Sequence, residues 1–238
     1  VDVYAMARGV DGDLWIIARE TFTPSVVALH RLDSKTFTLT EVGPLNPPVF
    51  LDIEGMTVLP DGRILMSAGS GPSAPTGLYE LDPATGQSTF IGNTSNPLTA
   101  LANLDGRVYA LFQRGVDYDL YGVDPDTAAL TFLHALPDGA IAFQNSMAAG
   151  ADGRLYVVDG FVVGGPPVYI SSTGAIDPVS GDFESLAQVG DALPGVYRGL
   201  ALIDGPSVVD VPGPGAVGQL VLWTLLLAAG LGFIRFRL

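Results

Sequence analysis

The chain has 238 residues, enough for one sizeable core, and is 48% apolar with only 15% charged residues. Its net charge is −14, lysine occurs once (Lys35), and no basic patch is present, which points away from nucleic acid as a partner. The absence of cysteine excludes disulfides, thiolate catalysis and cysteine-bound metals.

Thirty glycines and 18 prolines punctuate short apolar runs. This composition predicts an all-β protein. The chain opens at Val1 on a strand-like run. That start is consistent with a signal peptide, absent from this chain, having directed export to the extracellular space or cell surface.

The first run leads into "VDGDLWIIA" (10–18), whose Asp-Gly pair predicts a tight hairpin because both residues tolerate positive φ. "HRLDSKTFTLTEVG" (30–43) then predicts two more strands around a turn at Asp33. The pattern returns as "GMTVLPDGRILMSA" (55–68) with "YELDPATGQSTFIG" (79–92). It returns again as "LTALANLDGRVYALF" (98–112) with "YGVDPDTAALTFLH" (121–134). The fourth copy is "SMAAGADGRLYVVD" (146–159) with "AIDPVSGDFESLAQVG" (175–190). In "DPATG" the proline presets φ and the glycine supplies a left-handed position.

The Asp-Gly aspartates, Asp11, Asp61, Asp105 and Asp152, lie 50, 44 and 47 residues apart. A second series, Asp33, Asp82, Asp124 and Asp177, runs in phase with them. Four short antiparallel strands repeated at this period predict a β-propeller of four four-stranded blades. "VYRGLALIDG" (196–205) starts a further unit. It could be a partial fifth blade, a strand that closes the ring, or a strand that pairs with another subunit. The predicted domains are the propeller (1–209), a Pro/Gly hinge (210–215) and a hydrophobic C-terminal α-helix with a basic end (216–238).

The "LYELDPATGQSTFIG" pattern (78–92) resembles the repeats of bacterial secreted propellers of the quinoprotein-like and YVTN-like kinds. The resemblance covers 4–205 and implies the architecture, which hosts enzymes and binding modules alike. The tail is similar to the carboxy-terminal sorting regions of the PEP-CTERM type. "VPGPG" (211–215) precedes an uncharged stretch and then Arg235 and Arg237, with Gly213 where that family carries Glu. "LDIEGMTVLPDGRILMSA" (51–68) also looks like a segment of phytase-like esterase propellers.

Nineteen uncharged residues, 216–234, would make a helix about 28 Å long, enough to cross a bilayer core. Arg235 and Arg237 would then lie on the cytoplasmic side, and the membrane is a partner at least during export. Gly218, Ala228, Ala229 and Gly232 let such helices approach closely, alongside Leu222 and Leu225. The expected partner is a second copy of the chain, in a homo-oligomer or homopolymer held through this helix.

Little chemistry is visible elsewhere. His30 and His134 lie in or beside repeat strands and read as structural or surface residues, and no Gly-x-Ser-x-Gly elbow occurs. "GSG" (69–71) reads as a loop. Carboxylates cluster at Asp52 and Glu54, at Asp117 and Asp119, and at Asp159. Asp52 and Glu54, two apart on one strand face, could offer oxygens to Ca²⁺; no other cofactor is expected. The inner strands, such as "GMTVLP" and "GLALID", are otherwise plain. The expectation is a non-enzymatic extracellular structural protein whose head is displayed by a self-packing tail. The alternatives are a membrane-anchored or sorted surface binding module, and a calcium-dependent esterase-like propeller.

Overall fold

The computed structural model describes residues 2–19, 26–46, 53–69, 75–95, 98–141, 146–163 and 168–189. Asp52, the further unit at 196–205, the hinge (210–215) and the whole predicted helix with Gly218, Leu222, Leu225, Ala228, Ala229, Gly232, Arg235 and Arg237 lie outside them.

The described residues form sixteen strands and no helix. The first sheet is β1 (Asp2–Arg8), β2 (Leu14–Arg19), β3 (Val27–Leu32) and β4 (Leu39–Pro44). The second is β5 (Ile53–Val58), β6 (Ile64–Ala68), β7 (Gly77–Leu81) and β8 (Ser88–Asn93). The third is β9 (Leu98–Leu104), β10 (Arg107–Arg114), β11 (Asp117–Val123) and β12 (Leu130–Ala135). The fourth is β13 (Ser146–Ala149), β14 (Leu155–Val163), β15 (Val168–Ile176) and β16 (Phe183–Val189). Each sheet is antiparallel and keeps chain order across its width. The four units read from the repeat are these four sheets.

Core burial explains the sequence pattern. β6 is buried at all five positions and β2 at five of six, so their apolar residues run on without alternation. A sheet covered on both faces needs that composition. The outer strands β8 and β12 mix exposed with half-buried positions. One core joins the first and second sheets through Ile17, Leu29, Met56 and Tyr79. A second joins the second and third through Leu65, Leu78, Leu101 and Val108. A third joins the third and fourth through Leu111, Leu120, Met147 and Leu155.

The turns show how the two aspartate series work. In the third sheet, Asp105 (φ 52°) and Gly106 (φ 82°) are both left-handed and make a two-residue hairpin between Leu104 and Arg107. The Asp-Gly turn of the second sheet is longer: the Gly62 amide donates to the Leu59 carbonyl (2.9 Å), and the Arg63 amide to Asp61 Oδ1 (3.1 Å).

The other series builds four copies of one turn. The backbone of each aspartate accepts from the residue four further on: Phe37 to Asp33 (2.9 Å), Gly86 to Asp82 (2.8 Å), Ala128 to Asp124 (2.9 Å) and Gly181 to Asp177 (2.8 Å). That fourth residue is left-handed in every copy, at φ 55°, 75°, 60° and 79°. The sequence expectation of glycine there holds in two turns. In the other two, Phe37 and Ala128 adopt the conformation despite their side chains, because the hydrogen bonds around them leave no other path.

These turns also join neighbours. The Thr85–Gly86 turn of the second sheet packs on Gly43 of β4, and the Thr127–Ala128 turn of the third packs on Gly92 of β8. A methyl on Gly43 would overlap the Thr85 carbonyl; one on Gly92 would lie 2.7 Å from the Thr127 carbonyl. The fourth sheet repeats the arrangement with His134 of β12 against Gly181. The glycines of "EVG" and "FIG" are thus sites where backbone meets backbone.

Candidate functional site

β1, β5, β9 and β13 are the first strands of their sheets and stand at one edge of each. β1 packs beside β5, β5 beside β9, and β9 beside β13. Their free edges surround a central channel. At the C-terminal ends of these strands the channel opens into a cavity of about 280 Å³. It is lined by Ala7 and Arg8 of β1, Met56 and Thr57 of β5, Asn103 of β9 and Ala148 of β13, among others.

Asn103 is the polar centre of this cavity. Its Nδ2 donates to the Val58 carbonyl at 3.0 Å, which ties β9 to β5. Its Oδ1 is buried and has no hydrogen-bond partner among the described residues. A buried orphan acceptor is uncommon and marks a place where a donor would be stabilised. Thr57 is 5% exposed and stands on the same wall. Apart from Arg8, the rest of the lining is small or apolar. With no nucleophile–base pair among the lining residues, the cavity can hold water or a small ligand through backbone edges and an amide.

Both turn series lie at this end of the sheets, since the first and third strands of each run the same way. The charged side chain at the cavity itself is Arg8 of β1, and the carboxylates are carried by the turns. Backbone N–H donors hold most of them below the ordinary aspartate range. Amides of Thr36 and Lys35 do so for Asp33, of Ala84 for Asp82, of Asp126 for Asp124, and of Val179 and Ser180 for Asp177. Asp13 is lowered first by the Ser34 amide and then by Arg31. Arg31 reaches both Asp13 (2.7 Å) and Asp11 (2.5 Å) and lies over the Trp15 ring at 5.7 Å. Arg63 bonds Asp61 (3.0 Å) in its own sheet and Asp126 (2.7 Å) in the next. These arginines are engaged in holding turns together.

The residues singled out by sequence fall in several places. Glu54 lies on β5, half-buried and with a partner of its own, toward the opposite end of that strand from the cavity. Its proposed companion Asp52 is outside the described residues. Among the described residues, no group of three or more His, Asp or Glu could hold a metal ion. Asp117 and Asp119 are on β11, the third strand of its sheet; Asp119 is 4% exposed and pairs with Arg114 at 3.0 Å. His30 is buried on β3, and His134 packs on the neighbouring turn. Asn103 and Thr57 were not picked out from sequence. The available signal was a polar residue in the otherwise apolar inner-strand run "LANL" (101–104).

No protein-family model matches the chain, and no curated protein matches it. Solved structures do resemble it. A chain in a nidogen/laminin complex aligns at 12% identity with a TM-score of 0.54, over 85% of this chain and 69% of that one. An auxiliary nutrient binding protein from Bacteroides thetaiotaomicron aligns at 8% identity with a TM-score of 0.52, over 82% of this chain and 44% of that one. The chain is a β-propeller. At these identities the likeness speaks to the fold alone, and the propeller's four described blades are the four sheets above.

Proposed function

We propose that this propeller is the non-enzymatic head of an extracellular or cell-surface protein. The hinge at 210–215 presents the head, and segment 216–238 packs with copies of itself into a filament or surface assembly. The observation that carries this reading is the order of parts. A propeller with a small cavity at its channel mouth is followed by 19 uncharged residues that include small side chains, and then by two arginines. The similarity in fold to a protein named for nutrient binding is in keeping with a head that holds rather than converts a ligand.

The test is electron microscopy of native surface material washed without detergent, with the protein identified by mass spectrometry. Regular fibres containing the chain with residues 216–238 intact are expected. Detergent-soluble monomers with the tail intact would replace self-assembly by a membrane-anchored binding module. The calcium-dependent alternative is tested on Asp52→Asn and Glu54→Gln: an activity lost in both, with assembly kept, would make the head an enzyme.

A further inference from the structure

The cavity at the channel mouth has a chemistry that selects what can enter it. Its volume is about 280 Å³. One water occupies roughly 30 Å³, and pockets for drug-sized ligands run from about 300 to 1,000 Å³. The space therefore suits a molecule of about ten non-hydrogen atoms rather than a single water.

The wall bears on the class of that molecule. Asn103 Oδ1 is a buried acceptor with no hydrogen-bond partner among the described residues, while Nδ2 of the same amide donates to the Val58 carbonyl at 3.0 Å. The amide is thus fixed in orientation, and what it lacks is a donor. The inner strands turn their free edges to the channel, and a free edge carries both N–H and C=O groups. Ala7, Met56, Met147 and Ala148 add apolar surface.

Charge narrows the choice. Arg8 lines the cavity, half-buried and engaged with a partner of its own. A metal ion or ammonium would meet a like charge there. An acceptor-only anion would leave Asn103 Oδ1 unpaired. A hydroxyl group both donates and accepts, so it suits the amide and the strand edges together.

We infer that the channel mouth binds a small neutral polyhydroxyl compound, a polyol or a single sugar. One hydroxyl donates to Asn103 Oδ1, and the carbon skeleton lies on Met56 and Met147. The inference rests on the reading of the head as a part that holds a ligand without converting it; the use of the tail does not enter.

The methionines supply the readout. The chain has four. Met56 and Met147 line the cavity, whereas Met6 and Met66 do not and are buried in blade cores. The full-length chain is labelled with carbon-13 at the methionine methyl groups and followed by nuclear magnetic resonance. Glucose and glycerol at about 0.1 M, well above a millimolar Kd, are expected to shift the Met56 and Met147 signals and leave Met6 and Met66 in place. Acetate and ammonium at the same concentration should move neither pair. Asn103→Ala should weaken the glucose effect about tenfold, as for one lost hydrogen bond, with the Met6 and Met66 signals reporting that the variant is folded. No shift with either hydroxyl compound, an equal shift with acetate or ammonium, or an undiminished one in Asn103→Ala overturns the inference; the first two outcomes need no variant. Glucose bound and chemically altered would support the site and overturn the non-enzymatic reading of the head. The fibre test of the tail stands whichever way binding falls.

Discussion

Asp33, Asp82, Asp124 and Asp177 fix their turns by offering a carboxylate to backbone N–H groups that would otherwise face inward unpaired. Asp82 receives the Ala84 amide and the Thr85 hydroxyl, both at 2.8 Å. Asp82→Ala is therefore expected to lower the thermal midpoint at neutral pH, measured by circular dichroism. The deficit should shrink below about pH 4, where the wild-type carboxylate itself takes up a proton. Phe37 gives the opposite case. It is left-handed (φ 55°) and mostly exposed, so its side chain contributes little burial. The left-handed cost of about 1–2 kcal/mol exceeds glycine's extra chain entropy of about 0.4–1 kcal/mol. Phe37→Gly should stabilise the protein by about 0.5–1 kcal/mol in urea unfolding. The Asp-Pro and Asp-Gly spacing made these turns legible in the sequence. It could not show that Phe37 and Ala128 share the conformation of Gly86, because local hydrogen bonding overrides the preference of the residue itself.

At the scale of the elements, the blades are joined by close backbone packing rather than by charge. Gly43 lies against the Thr85–Gly86 turn with no room for a methyl. Gly43→Ala should cost about 1–3 kcal/mol, because strand and turn must separate to admit it. The Arg63–Asp126 pair also bridges two blades, but Asp126 is 70% exposed. Solvent screening limits such a pair to about 0–1 kcal/mol, so Asp126→Ala should change stability by less than Gly43→Ala in the same measurement. The final glycines of "EVG" and "FIG" repeat visibly in the sequence. Their purpose was not legible, since the atoms they admit belong to the next repeat, more than 30 residues away.

For the whole molecule, the aspartates of the turns set the pH response. Seven described aspartates, Asp13, Asp33, Asp61, Asp82, Asp124, Asp152 and Asp177, are held below their ordinary range by hydrogen bonds in the fold. Each is lowered on folding, so its contribution is present above the unfolded aspartate value of about 3.9 and is lost as pH falls through the folded value. The thermal midpoint should stay level through neutral pH and drop below about pH 4, as several groups take up protons together. A midpoint unchanged down to pH 2 would mean that the turns stand without their charged acceptors.

The repeat alone determined the strand count of each blade, the all-β class of the described residues and the positions of the two aspartate turn series, because these follow from local periodicity and turn chemistry. Tertiary structure decided the rest. Asn103 became the polar centre of a cavity only because β9 meets β5, where its amide finds the Val58 carbonyl and leaves Oδ1 unpaired among the described residues. Glu54, which sequence singled out for its neighbour Asp52, lies toward the other end of β5 from that cavity. Burial is a relation between segments distant in sequence, and no local pattern states which surface a strand will be pressed against.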